Sequence, residues 1–443
     1  MHEVFMFLAL IIYFPKKIKQ TTSPSVTPPY NSVMKAIQFT FSFPRYGLGL
    51  ALGRWFPGVL WSGLSCTVMR DVPEPNLPGT DWVKIKTRLG GICGTDLGAI
   101  YLHTSPYYSP FSSFPFTFGH ENAGFISELG ADVKGWTVGQ RVVVNPLLGC
   151  ETRGFKDLCF YCAKGEINRC ERFTQGTLVP GIMTGAARDT GGSWSAAFLA
   201  HQSQLYAVPE NVSDENAMMI EPFCCGLHAV LIDFPKDDET ILILGAGTIG
   251  LVTLAALRAL GSQARILVSA RYAHQAEAAQ RLGASEVLPG GDLYAQVAER
   301  TGAQVLKATI GKRVVEGGVE RVYECTGNDD SLDDANRLAR SGGKVVLVGI
   351  PGIAKGVDWT AIFSQELTVL AARQFHNSEP YKGKLWRCFD LALDLMSTGK
   401  VDLGWMVTRK YALSDYKQAL DDLEQKGSRG IIKAAFEFFP SAH

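Results

Sequence analysis

Between Met34 and about Val208, apolar positions come in short β-branched runs, at 82–87, 124–128, 140–145 and 204–208, each broken by glycine or proline. Helical spacing is scarce there, and the pattern predicts an all-β, barrel-like unit. From about Ser213 the period changes. Apolar strand-like runs at 240–244, 265–269, 320–323 and 344–348 alternate with helical spacing at 249–260, 274–282 and 332–340. That alternation requires right-handed crossovers and a parallel sheet. Beyond about Gln365 the pattern is mixed: 367–372 extended, 385–396 amphipathic, Ser414 capping a helix that runs through Glu424, and 433–437 a closing strand. One strand and two helices are not a viable domain alone, so this tail is expected to return to the first unit. The fold class is therefore α/β plus β. Residues 34–212, completed by 366–443, form one domain, and 213–365 form a second.

Length and charge narrow the partners. A chain of 443 residues exceeds one small core, and 43 basic against 43 acidic residues leave no electrostatic footprint for nucleic acid or an anionic membrane. Small molecules are the expected partners. Ten cysteines are present, four of them grouped at metal-ligand spacing and the rest scattered through apolar segments, which fits reduced thiols and a cytoplasmic location. Residues 4–14 are apolar but too short to cross a bilayer, with neither a preceding basic residue nor a following cleavage site. With the Pro-, Ser-, Thr- and Lys-rich residues 16–30, they mark 1–33 as a disordered extension or a mis-called start.

Metal chemistry enters with Gly91-Ile92-Cys93-Gly94-Thr95-Asp96 and Gly119-His120-Glu121. Cys93 and His120 are donors of the right softness for zinc. Glu121, directly after the histidine, and Glu221, in Ile220-Glu221-Pro222 where the two units meet, are candidates for the remaining ligands. Zinc held by three side chains with one open position makes a bound alcohol acidic near neutrality. Thr95 is placed to pass the alcohol proton outward, and Asp96 either orients a ligand or satisfies the turn backbone. A second set, Cys150, Cys159, Cys162 and Cys170, has the two-residue knuckle of a closed structural zinc site. Cys150 stands eight residues before the next thiol, and Asp157 is the alternative fourth ligand.

Gly245-Ala246-Gly247-Thr248-Ile249-Gly250 sits between a strand pattern and a helix pattern, the framing a dinucleotide turn needs. The three glycines serve the tight turn, the approach of pyrophosphate and close helix packing, with the phosphates at the helix N-terminus. The next strand ends in Ser269-Ala270-Arg271-Tyr272 without a carboxylate. Ser269 and Arg271 suit a 2′-phosphate, so NADP is preferred over NAD. Cys325, Thr326 and Gly327, with Val348, Gly349 and Ile350, lie at strand ends and are expected to flank the nicotinamide.

Together with Glu221-Pro222 and Gly342-Gly343-Lys344-Val345-Val346, these motifs resemble the zinc-containing medium-chain dehydrogenase/reductase family, over about residues 34–438. The resemblance implies a GroES-like β-barrel catalytic domain with an inserted Rossmann domain, an active site in the cleft between them, and homodimers or homotetramers. It implies Cys93, His120 and Glu221 as catalytic zinc ligands and Glu121 as a carboxylate able to join or leave the metal. The activity it implies is NAD(P)-linked interconversion of an alcohol, secondary or polyol, with its aldehyde or ketone. Alternatives are a nucleotide-binding relative without turnover, and a lyase or epimerase on the same fold. Three features depart from the family: Lys156 stands where a first lobe cysteine is usual, Gly98 where some relatives carry a relay histidine, and about residues 39–67 intrude between the first two strands. That intrusion, rich in Gly and aromatics, covers a pocket or an oligomer face, or is the packing of a longer hairpin. Residues 101–118, with His103, Tyr107, Tyr108 and Phe114, either line the substrate side or fill core.

Overall fold

The computed structural model describes residues 33–350 and 352–439. The expected extension 1–33 lies outside the described residues except for Val33, which opens the first strand.

The first unit is built from strands that are antiparallel except for the pair Val407–Tyr411 and Lys433–Glu437. Its larger sheet runs in the order Val407–Tyr411, Lys433–Glu437, Trp82–Ile92, Asn122–Leu129, Arg141–Val144 and Leu205–Ala207, with Ala197–His201 also paired to Trp82–Ile92. A smaller sheet pairs Val33–Phe39 with Thr67–Pro73 in one unbroken antiparallel register, and with the short strand Phe116–Thr117. Because Phe39 sits directly opposite Thr67, residues 40–66 leave and re-enter the sheet at one point. They add no rungs to that hairpin and pack against it as a long connection, with Leu60, Trp61 and Cys66 buried. Phe43–Leu52 is a helix, capped by the Ser42 hydroxyl accepting from Arg45 N and helped by Pro44 in its first turn. Trp61 anchors the insertion, buried to 2% exposure and donating through Nε1 to Asp421 Oδ1 at 3.1 Å.

Six strands of the second unit are all parallel, in the order Glu286–Pro289, Arg265–Ala270, Thr240–Leu244, Val319–Glu324, Ala339–Leu347 and Thr368–Ala371. Counted along the chain this is 3-2-1-4-5-6, the Rossmann order, whose ligand crevice lies where the order reverses, between Thr240–Leu244 and Val319–Glu324. Continuous apolar runs are what a strand covered on both faces needs, and Ile241, Leu242 and Ile243 are wholly buried.

Two expectations about the tail change. Thr368–Ala371 pairs with Ala339–Leu347, so the parallel sheet extends past residue 365. The hairpin Ser378–Tyr381/Lys384–Arg387 and the helix Cys388–Ser397 then pack on the helix Ile220–Leu231, and only the strands Val407–Tyr411 and Lys433–Glu437 rejoin the first sheet. Ser414 is not a cap: the helix Tyr416–Glu424 has Asp415 at its N-cap, and the Ser414 hydroxyl bonds the Asp415 side chain. Among the described residues no helix is long and apolar enough to cross a membrane.

Candidate active site

The central strand Trp82–Ile92 delivers Cys93 to the N-cap of the helix Gly94–Ile100. Asp96, three residues on, accepts from Cys93 N at 3.0 Å through Oδ2, while Oδ1 lies 3.5 Å from His120 Nδ1. It therefore satisfies the turn and orients the imidazole at once. Gly119 has φ +97°, and a Cβ there would strike Ser193 and Trp194, so only glycine lets the chain turn to aim His120 inward. With Nδ1 facing Asp96, His120 turns Nε2 to the other side, where the Thr95 hydroxyl stands 3.3 Å away.

One donor atom each from Cys93, His120 and Glu121 lies within 4.8 Å of the others. Glu221 is outside that tight group, but it is buried in the first turn of Ile220–Leu231 and within electrostatic reach of it. Burial pushes its carboxyl up to about 7, and the neighbouring Glu121 and Asp96 carboxylates push the same way against His120 and Lys433. Burial opposes charge on His120 too, yet Asp96 and Cys93 outweigh it and hold the imidazole well above its ordinary pKa. A half-buried thiol, a buried imidazole and three buried carboxylates thus lie near one another, a donor set of the kind that suits a zinc ion.

A lysine paired with this group was not anticipated. Lys433, 3% exposed on the closing strand, forms an ion pair with Glu121, 1% exposed. Burial disfavours its charge, but Glu121 and Cys93 raise its pKa above the ordinary lysine value. Its trace in the sequence is a lone charge inside Ile431-Ile432-Lys433-Ala434-Ala435.

Cys150, Cys159, Cys162 and Cys170 also bring one sulfur each within 4.8 Å of the others. Cys150 Sγ and Cys170 Sγ are 3.8 Å apart, and backbone N–H groups of Cys159 and Arg172 point at Cys150 and Cys170 respectively. Hydrogen bonding from Cys162 lowers the Cys170 thiol to about 6. Asp157, the alternative fourth donor, faces solvent and pairs with Arg172.

Across the cleft, Gly247 is the N-cap of the helix Thr248–Ala259 with open space around it, the approach a pyrophosphate needs. A Cβ on Gly250 would overlap the carbonyl oxygen of Gly245, which fixes the close seating of helix on strand. The Thr248 hydroxyl donates to Ile432 O at 2.8 Å, so the turn touches the residue before Lys433. Ile249 belongs to the same first turn. Ser269 ends the second strand half-buried and Arg271 is exposed beyond it. Cys325 N donates to Leu244 O, and Thr326 Oγ1 reaches the same oxygen. Glu324, fully buried and also unanticipated, accepts from Thr326 N, Gly327 N and the Ser331 hydroxyl at 2.7–2.9 Å. Its own carbonyl accepts from Val348 N and Gly349 N, and Ile350 backbone lies against Gly327, so both strand-end loops form one wall of the crevice. Of the aromatic residues 101–118, Phe114 packs on Phe39, Phe41 and Phe116, a core role, whereas Tyr107 is exposed.

A thiol–imidazole–carboxylate pocket facing a Rossmann crevice defines a metal-assisted dehydrogenase. Residues 79–210 match the model of the alcohol dehydrogenase GroES-like domain, and 248–390 match that of the zinc-binding dehydrogenases. The chain is 28% identical over 358 residues to L-idonate 5-dehydrogenase from Vitis vinifera, covering 80% of this chain and 87% of that one. It is 29% identical over 353 residues to sorbitol dehydrogenase from Bacillus subtilis, covering 79% and 88%. A crystal structure of a zinc-binding dehydrogenase from Sinorhizobium meliloti bound to NADP superimposes with a TM-score of 0.67 at 25% identity, over 92% of this chain and all of that one. The chain belongs to the zinc-type medium-chain alcohol dehydrogenase family. It is an NAD(P)-dependent oxidoreductase acting between alcohols and carbonyls.

Proposed function

We propose that the enzyme interconverts a secondary alcohol or polyol and its ketone, with Cys93, His120 and Glu221 as the protein ligands of the catalytic zinc. The gathering of Cys93, His120 and Glu121 donors within 4.8 Å supports the metal centre, and the burial of Glu221 within electrostatic reach of His120 and Glu121 supports it as the third ligand. Glu121 is the carboxylate that exchanges with substrate, and Lys433 holds it in reserve. Cys150, Cys159, Cys162 and Cys170 hold a second, structural zinc. Gly245, Gly247, Thr248, Ile249 and Gly250 cradle the pyrophosphate, while Cys325, Thr326, Val348, Gly349 and Ile350 flank the nicotinamide. Ser269 and Arg271 favour NADP. Residues 34–212 with the two tail strands act as the catalytic unit, and the enzyme works in the cytoplasm as a homodimer or homotetramer.

When bound, zinc supplies a Lewis acid at the substrate oxygen and nicotinamide the hydride acceptor. The protein's own part is positioning and proton handling. Thr95, 3.3 Å from His120 Nε2, takes the alcohol proton and passes it to solvent. Asp96 fixes the imidazole, and Gly98 in place of a longer side chain leaves the proton a short way out. The names of the two curated relatives, a sorbitol and an idonate dehydrogenase, support a polyhydroxylated substrate.

The test is a panel of polyols and simple secondary alcohols assayed with NADP and NAD in parallel. Cofactor reduction that is abolished by chelation and restored by zinc is expected. Bound zinc with no turnover on any substrate would favour the non-catalytic reading, and cofactor that never leaves during turnover the lyase or epimerase.

A further inference from the structure

The helix Ile220–Leu231, with Glu221 in its first turn, carries a second buried group about two turns later, His228, which is 1% exposed. His228 Nδ1 lies 2.7 Å from Glu379 Oε1, and Glu379 is itself 1% exposed on the strand Ser378–Tyr381. The same oxygen accepts from His376 N at 3.1 Å. The His228 and His376 rings sit with centroids 4.3 Å apart. Glu379 faces the Nδ1 side of the His228 ring, so a proton shared between them is one that a cation could displace, and Nε2 points away from that carboxylate. That Nε2 is buried and has no hydrogen-bond partner. The Nε2 of His376 is buried and unpartnered as well.

Two orphaned imidazole nitrogens beside a carboxylate are a poor way to fill a core, because each forfeits its bond to water without replacement. Two imidazoles gathered on one carboxylate are a good way to hold a cation. One donor atom from each of the three residues lies within 4.8 Å of the others. We propose that His228, His376 and Glu379 form a third metal site, taking a divalent transition ion of the zinc class. Two nitrogens and one carboxylate oxygen select zinc, cobalt or nickel over magnesium or calcium, which want oxygen alone.

The location gives the ion a job apart from catalysis. Asn377 N and Ser378 N, between two of the proposed ligands, donate to Gly165 O of the four-thiol lobe at 2.7 and 3.1 Å. Asn377 Oδ1 also accepts from the Tyr206 hydroxyl at 2.7 Å. An ion here would fasten three pieces together: the helix Ile220–Leu231, the hairpin Ser378–Tyr381/Lys384–Arg387, and the lobe.

The experiment is metal counting and cobalt spectroscopy on the full-length enzyme, purified without chelator and titrated with Co2+. The proposed site contains no sulfur, whereas the other two candidate sites contain one and four thiols. Its cobalt form therefore shows weak ligand-field bands with no thiolate charge-transfer absorption. We expect one equivalent beyond the thiolate-containing centres in the wild type, lost in both His376→Ala and Glu379→Gln while dehydrogenase activity stays within about twofold. Saturation of the wild type with thiolate-bearing centres alone would overturn the proposal, and so would a sulfur-free centre that survives in both variants. The wild-type count decides even if a variant fails to fold, and neither readout depends on which alcohol is the substrate.

Discussion

Glu121 and Lys433 form a buried ion pair of the kind that is harmful only when halved. Lys433→Met should cost about 3 kcal/mol or more of unfolding free energy, since it strands a carboxylate in the interior. Adding Glu121→Gln should restore most of that loss. Urea titration of the two single variants and the double variant measures this, and purely additive losses would show that the pair is not coupled. Arg271 is exposed beyond the second strand of the parallel sheet, free to meet a 2′-phosphate. Replacing it with Ala should raise KM for NADP about tenfold or more and leave KM for NAD nearly unchanged; equal effects would refute the NADP preference. Residues of the local motifs were readable because their partners are close in sequence, as with Cys93, Thr95 and Asp96. Lys433 is a lone charge within an apolar run that sequence reasoning missed, and nothing in the sequence points to Glu121 as its partner, because the two are far apart along the chain and meet only in the folded sheet.

Elements with strong periodicity were legible almost to the residue: Thr240–Leu244 and Lys433–Glu437 begin and end where their apolar runs do. The helix Phe43–Leu52 was not, because Gly47 and Gly49 lower its propensity and hide it behind a loop-like composition. Gly49 is there for packing, since a Cβ would strike Ser65 and Leu102. Ser414 shows the opposite error, in which a good capping residue lies inside the short 3-10 turn Leu413–Asp415 that leads into the helix, and no side chain caps it. The helix Thr248–Ala259 supplies the sharpest test at this scale. Gly250→Ala must push it off the strand below, because the new methyl would collide with the Gly245 carbonyl. Cofactor affinity measured by fluorescence titration should fall at least tenfold, with the zinc content unchanged; unaltered affinity would mean that the turn does not seat the pyrophosphate.

At the level of the whole molecule, the switch from period 2 to alternating strand and helix located the two units, whereas the return of the chain was placed too early. Sheet edges are settled by which backbone finds a free ladder, and Thr368–Ala371 found one on Ala339–Leu347. The four-thiol lobe is tied to the tail through Gly165, so its integrity should be felt beyond its own loop. Cys150→Ser should release about one zinc per chain and lower Tm by several degrees, read by elemental analysis and calorimetry; full zinc retention would return Asp157 to consideration as the fourth ligand. The salt bridge between Glu121 and Lys433 joins positions 312 residues apart. A nascent chain on the ribosome therefore exposes its Cys93–His120–Glu121 constellation long before the matching ammonium has been synthesised. Until the closing strand arrives Glu121 keeps its water, so the buried pair locks the first unit only when the tail completes its sheet.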